Sequence, residues 1–304
     1  MLYHKMPNTS GEISVIGLGT WVLGGDDWGG SSEKSSIEAI ETALDQGINF
    51  IDTAPIYGNG QAERIVGQAI KGKREKVILA TKCGLVTQGK KVLINLSADS
   101  IKREVEESLK RLQVDYIDLY QCHWPDPNTP IEWTLDALTQ LRAEGKIRTI
   151  GVCNFPLDLL KRSSELAEVI TLQSQYSLLE RSLESELIPF CRQKGIGILA
   201  YGVLGGGILT GKYASLPQFP QGDARSFFYR FYEREKFERI QRTLQALQEY
   251  SRPLNQIAIN FIRQQSGVTT VLVGCRTAQQ VLDNVGAINW QLSVDEMESL
   301  RALF

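Results

Sequence analysis

Residues 48–82 read INFIDTAPIYGNGQAERIVGQAIKGKREKVILATK, and this stretch decides the fold class. It opens on an apolar run, INFID, that ends at Asp52, and closes on a second, VILATK, that ends at Lys82. Between them, from Gln61, the apolar residues fall at helical spacing, so the stretch reads as strand, helix, strand. A third run, YIDLYQCH, ends at His123, and Tyr57 lies one short loop past the first.

The same alternation extends along almost the whole chain. Eight apolar runs are readable: VIGLG near 17, INFID near 50, VILAT near 79, YIDLYQ near 118, TIGVC near 151, ITLQ near 171, GILAY near 199 and TVLVG near 272. Helical stretches start near Glu33, Gln61, Ile131, Pro156, Glu186 and Asn255. In another, Ile101, Val105, Leu109 and Leu112 share one face, Lys102 pairs with Glu106 and Arg103 with Glu107, and Ser97 or Asp99 caps the first turn. Eight such units predict an α/β fold, a (β/α)8 TIM barrel forming a single domain over residues 1–304. A doubly wound sheet gives similar alternation and stays as the rival, but its fingerprint is incomplete. Gly17-Leu18-Gly19-Thr20-Trp21-Val22 begins like G-x-G-x-x-G and ends in valine. Leu2 to Ile16 reads as a small hairpin closing the barrel floor. Residues 213–234 show no strand pattern and follow the seventh run, where a barrel places an active-site loop.

Composition bounds the partners. With 33 basic against 35 acidic residues the chain offers no electrostatic case for nucleic acid or an anionic membrane, and a small molecule is the expected partner. Five scattered cysteines without a C-x-x-C pair suit reduced thiols, and two histidines make a structural zinc improbable, so no metal is expected. No run of about 18 apolar residues occurs, and the expectation is a soluble, cytoplasmic protein. Oligomeric state is not readable.

In a barrel of this kind the chemistry sits where the strands end. Asp52, Tyr57, Lys82 and His123 therefore converge as a carboxylate, a phenol, an ammonium and an imidazole. A buried ammonium needs a carboxylate, and Asp52 is the candidate partner of Lys82. The ordinary tyrosine pKa is about 10, so a neighbouring positive charge is expected to lower that of Tyr57 and make it a usable acid near neutral pH. Each residue also has a plainer reading: a structural histidine, a structural ion pair, a turn aromatic within Tyr57-Gly58-Asn59-Gly60.

These residues and their surroundings resemble the aldo-keto reductases over nearly the full chain. The stretches that carry the likeness are GLGTW from 17, INFIDTAPIYGNGQAERIVGQAI from 48, ILATKCG from 78, DYIDLYQCHWPDP from 115 and EGKIRTIGVCNF from 144. LQSQYSLLER from 172, AYGVLGGGILTGKY from 200 and VLVGCRTAQQVLDN from 271 extend it. The resemblance implies a barrel that binds NADPH, with NADH as the alternative, and reduces aldehydes or ketones. It implies Tyr57 as general acid, Lys82 and Asp52 as its tuning pair, and His123 as the group that orients the substrate.

It further implies a cofactor site. Gly19, Thr20, Trp21 and Asp52 border it, while Cys153, Asn154 and Gln173 hold the nicotinamide carboxamide and Tyr201 stacks on the ring. Gly202 and Val203 stand where the family usually has serine and proline, and Cys153 where serine is commoner. The backbone amides of Leu204, Gly206 and Gly207, with Lys212, are positioned for the pyrophosphate. Gly274, Arg276, Gln280 and Asn284 match the adenosine end, and the planar fork of Arg276 suits a 2′-phosphate, hence the preference for NADPH. Trp21, Trp28, Tyr57, His123 and Trp124 are expected in the substrate pocket. The aromatic cluster from Phe227 to Tyr232 reads equally as pocket wall or buried helix stripe.

Three other functions bear on the same residues. Gly206, Gly211 and Lys212 nearly spell a triphosphate-binding loop, but Tyr213 replaces the required Ser or Thr, so an ATPase is rejected. A barrel aldolase would use Lys82 as a Schiff base. A cofactor-binding redox sensor, like the potassium-channel β subunits this fold resembles, would bind without rapid turnover.

Overall fold

The computed structural model describes every residue except 26, 27, 31, 90 and 248–250. Two short strands, β1 (Tyr3–Lys5) and β2 (Glu12–Ser14), precede a closed barrel of eight parallel strands. These are β3 (Ile16–Gly19), β4 (Phe50–Asp52), β5 (Ile78–Cys83), β8 (Ile117–Cys122), β9 (Ile147–Cys153), β10 (Val169–Gln175), β11 (Gly197–Tyr201) and β12 (Val268–Gly274). Each falls on one of the eight apolar runs. The ring closes where β12 pairs with β3, Val271 opposite Ile16 and Gly274 opposite Gly19. Closure excludes the doubly wound sheet, which keeps two free edges. Strands covered on both faces need apolar residues throughout, and every residue of β4 and β8 is buried.

The helices that return the chain after successive strands are α1 (Glu33–Asp45), α2 (Gln61–Ala69), α3 (Ala98–Leu112), α4 (Ile131–Ala143), α5 (Leu157–Leu166), α6 (Leu187–Lys194), α9 (Leu254–Arg263) and α10 (Ala278–Val285). In α3, Ile101, Val105 and Leu112 are buried as the periodicity requires. Its surface differs from expectation. Glu106 pairs at 2.7 Å with Lys146, which the chain beyond α4 brings in place of Lys102, and Glu107 pairs at 3.5 Å with Arg111 one turn later on α3 rather than with Arg103. Ser97 occupies the cap position without a side-chain cap bond. Its approach is fixed instead by Asn95 Oδ1, which accepts from Ser97 N, and Asp126 Oδ2, which accepts from Leu96 N.

The predicted floor hairpin is present. β1 and β2 pair antiparallel, Tyr3 opposite Ser14. Met6 and Ile13 pack with the inward residues Phe50, Ala80, Leu119, Ile170, Leu199 and Leu272, so the barrel interior is filled from below. Each of the larger side chains contributes about 2 kcal/mol by leaving water.

Five elements were not foreseen. A second hairpin, β6 (Leu85–Gln88) with β7 (Lys91–Ile94), rises past the end of β5, Leu85 opposite Ile94. The stretch 213–234 contains a short helix, α7 (Ala224–Phe228), before α8 (Arg234–Leu247). Helix α11 (Val294–Leu303) ends the chain and opens with a capping box between Ser293 and Glu296. Among the described residues no helix is long and apolar enough to cross a membrane.

Candidate active site

Asp52 is the last residue of β4, Lys82 the last but one of β5, and His123 follows β8 directly. Tyr57 is set by the loop after β4. Its N–H donates to Ala54 O at 3.1 Å, its carbonyl accepts from Ala62 N at 3.3 Å, and its ring lies stacked on Trp21 at 5.8 Å. The three loop ends meet at a buried ammonium. Lys82 Nζ donates to Asp52 Oδ2 at 2.6 Å, to Thr53 O at 3.0 Å and to Tyr57 Oη at 3.2 Å. An ammonium has three protons, and all three are used. Tyr57 is the acceptor of its bond with Lys82, which leaves the phenol proton for another partner.

Asp52 Oδ1, the other carboxylate oxygen, accepts from Gln173 Nε2 at 2.7 Å and from Gln121 Nε2 at 3.2 Å. Gln121 was missed in the sequence. Its signal was a polar residue two positions after Leu119, which packs in the barrel interior, and two before His123.

Burial pushes the Tyr57 phenol up, the Lys82 charge pulls it down, and Asp52 pushes it up again, leaving it at about 12. Lys82 lowers the phenol as expected, but the net shift is upward, because desolvation of the phenolate outweighs the ammonium's attraction. Burial also works against the Lys82 charge, but the Asp52 carboxylate overrides it and holds the lysine above its ordinary value. Burial first, and then Lys82, keeps His123 well below its ordinary value, so its imidazole is neutral at pH 7. Its ring stands edge-on to that of Tyr57 at 5.8 Å.

A cavity of about 1120 Å³ opens above this group and runs to α10. Every residue that the sequence pointed to for cofactor or substrate lines it; Lys82 alone among the site candidates sits behind the wall, fully buried. At the near end Asn154, at φ +61°, donates to His123 O at 3.1 Å and to Cys153 Sγ at 3.2 Å. Its Oδ1 accepts from the Tyr201 hydroxyl at 2.8 Å, which ties the loops after β8, β9 and β11 together. In the middle, Gly206 has φ +67° and passes so close to Tyr229 that a Cβ would lie 2.8 Å from its ring. At the far end Gln280 Oε1 accepts from Arg276 N at 2.8 Å, and Asn284 Oδ1 accepts from Asn255 Nδ2 at 2.8 Å. Arg276 Nη1 donates to Trp28 O at 3.1 Å and Gly30 O at 3.3 Å.

Arg225 joins this end without having been foreseen. It is paired with Asp223 at 2.5 Å and donates to Trp28 O at 3.3 Å. Nothing marked it in a stretch without periodicity. The aromatic cluster divides between the two readings. Phe228 packs edge-on to Trp21 at 5.2 Å and Tyr229 to Trp28 at 6.2 Å, whereas Phe227 is 70% exposed at the rim. Ile56, which packs with Tyr57, and Leu85 and Val92 add apolar residues to the cavity lining.

The family model of the Aldo/keto reductase family matches residues 15–304, and the chain belongs to that family. It is 41% identical to the aldo-keto reductase YhdN of Bacillus subtilis (strain 168), over 100% of this chain and 93% of that protein. It is 38% identical to the NADH-specific methylglyoxal reductase of Escherichia coli (strain K12), over 98% of both chains. Among solved structures, the glycerol dehydrogenase AKR11B4 from Gluconobacter oxydans superposes with a TM-score of 0.90 at 35% identity, covering 99% of this chain and 94% of that one.

Proposed function

We propose that the protein is an NAD(P)H-dependent carbonyl reductase that converts aldehydes or ketones to alcohols and, in reverse, oxidises alcohols. One observation carries this reading: Tyr57 lines the cavity and its hydroxyl accepts from Lys82 Nζ at 3.2 Å, which leaves its own proton to be given. Tyr57 is the general acid. With a pKa of about 12 it remains a phenol at neutral pH, and it still gives its proton downhill to an alkoxide, which is a stronger base. Neutral His123 orients the carbonyl oxygen, and the Lys82 charge, anchored by Asp52, stabilises the oxyanion as it forms.

The dinucleotide supplies the hydride when bound. The fit rests on the extent of the cavity and on the left-handed glycines Gly202, Gly206 and Gly207, which let backbone approach a pyrophosphate where a side chain would not. Asn154, Gln173 and Cys153 would hold the carboxamide, Tyr201 the ring face, Leu204 and Lys212 the phosphates, and Gly274, Arg276, Gln280 and Asn284 the adenosine. Gly19, Thr20 and Trp21 border the near end. Arg276 is the reason for proposing NADPH over NADH. The five cysteines are free and buried, which supports work in a reducing compartment such as the cytoplasm.

A Schiff base on Lys82 is disfavoured, since its three protons are all engaged and it has no exposed surface. The test follows NADPH absorbance against aldehydes, ketones and sugars. Tyr57→Phe should lower turnover by about 10²- to 10⁴-fold and leave dinucleotide binding intact. A variant that keeps most of the rate removes the acid assignment, and binding without turnover in the unsubstituted protein favours the sensor.

A further inference from the structure

Asp52 divides its two oxygens between different partners. Oδ2 holds Lys82, while Oδ1 accepts two side-chain amides, those of Gln173 and Gln121, which themselves touch at 3.4 Å. The two glutamines differ in one respect. Gln173 lines the cavity; Gln121, with no exposed surface, lies beneath it and does not. Anything that fills the cavity beside Asp52 competes for the Gln173 amide, and nothing in the cavity reaches that of Gln121. Register and space favour the same role. Gln121 sits opposite Lys82 on β5 and opposite Gly151 on β9, where a Cβ would lie 3.1 Å from Gln121 Cγ.

We propose that Gln121 is a positioning residue for the proton donor: it keeps Asp52 Oδ1 hydrogen-bonded once the cavity is occupied. The inference rests on the carbonyl reduction proposed above. Asp52 strengthens the hold of Tyr57 on its proton and Lys82 weakens it. A carboxylate without a donor on Oδ1 concentrates its charge towards Lys82, cancels more of the ammonium field, and leaves Tyr57 a poorer acid. Gln121 prevents that while touching neither substrate nor dinucleotide.

The experiment compares Gln121→Met, close in length but without a donor, with Gln173→Met. Dinucleotide affinity is read from tryptophan fluorescence, and kcat, KM, the solvent deuterium isotope effect on kcat and the unfolding temperature are measured alongside. Loss of one hydrogen bond to a charged group should lower kcat of Gln121→Met about tenfold, with KM and dinucleotide Kd within about twofold and a larger isotope effect. Gln173→Met should weaken dinucleotide binding instead. If the Met variant does not fold, Gln121→Asn, whose amide stops short of Asp52, replaces it with the same readouts and the same expectation. An unchanged kcat and isotope effect beside an active wild type overturns the assignment, as does a kcat loss matched by an equal loss of dinucleotide affinity. Failure of the parent reaction is read separately, from absent turnover in the unsubstituted protein.

Discussion

Gly58 and Gly24 meet backbone to backbone: a Cβ on Gly58 would lie 1.3 Å from the Gly24 carbonyl oxygen. Gly58 also has φ +59°, a region where other residues are strained. This contact fixes the peptide that follows Tyr57 against the turn that follows Trp21. Gly58→Ala should destabilise the fold by about 2 kcal/mol or more and displace the phenol, so the unfolding temperature and kcat should fall together. An alanine variant with wild-type kcat would show that this contact does not place Tyr57.

Lys82 and Asp52 are buried together, so each is costly without the other. Lys82→Met should lower stability by about 3–5 kcal/mol because the carboxylate is left without its cation. Adding Asp52→Asn should recover part of that loss. Denaturant unfolding of the two single variants and the double variant gives the coupling directly, and strict additivity would contradict it.

Glu104 supplies a pH dependence away from the site. Burial pushes its carboxyl up from 4.5 to about 7, against the pull of the Gly84 N–H and the Ser100 hydroxyl. A folded-state value above the unfolded one means that the folded protein binds the extra proton, so this contribution is full below about 4.5 and is lost as pH rises through about 7. Glu104→Gln should therefore gain stability relative to wild type between those limits, by about 3 kcal/mol at most. Unfolding temperatures of both proteins from pH 4.5 to 8 test the sign.

Arg276 is the cation proposed to read the 2′-phosphate, but it also braces Trp28 O and Gly30 O. Arg276→Ala should weaken both dinucleotides, and NADPH by about tenfold more than NADH. The ratio of the two Kd values is the readout. An unchanged ratio would remove the basis for the NADPH preference.

The barrel was legible because strands covered on both faces must be largely apolar, as INFID and VILATK are up to the charged residues at their ends. The β6–β7 hairpin was not, because most of Leu85 to Ile94 faces solvent or the cavity, and no buried face imposes a period on it. Helix α8 did carry a signal, since Phe237, Ile240, Leu244 and Leu247 are buried at helical spacing, but the aperiodic segment before it obscured its start. At the site, the residue types of Asp52, Tyr57, Lys82 and His123 announced chemistry. The direction of the Tyr57 shift was hidden: desolvation depends on what packs around the ring, and no motif records that. Gln121 was hidden for a related reason, since its partner Asp52 lies 69 residues away, and so was the reach of Arg225 to Trp28 O, although its ion-pair partner Asp223 is local.

The hairpin from Leu85 to Ile94 forms its own two-stranded sheet, apart from the ring of eight, while Leu85 and Val92 border the cavity. Lengthening, shortening or recolouring that ribbon would leave every rung of the closed cylinder intact. Natural variation can thus retailor what is admitted without disturbing how it is transformed, and a designer can begin from the same seam.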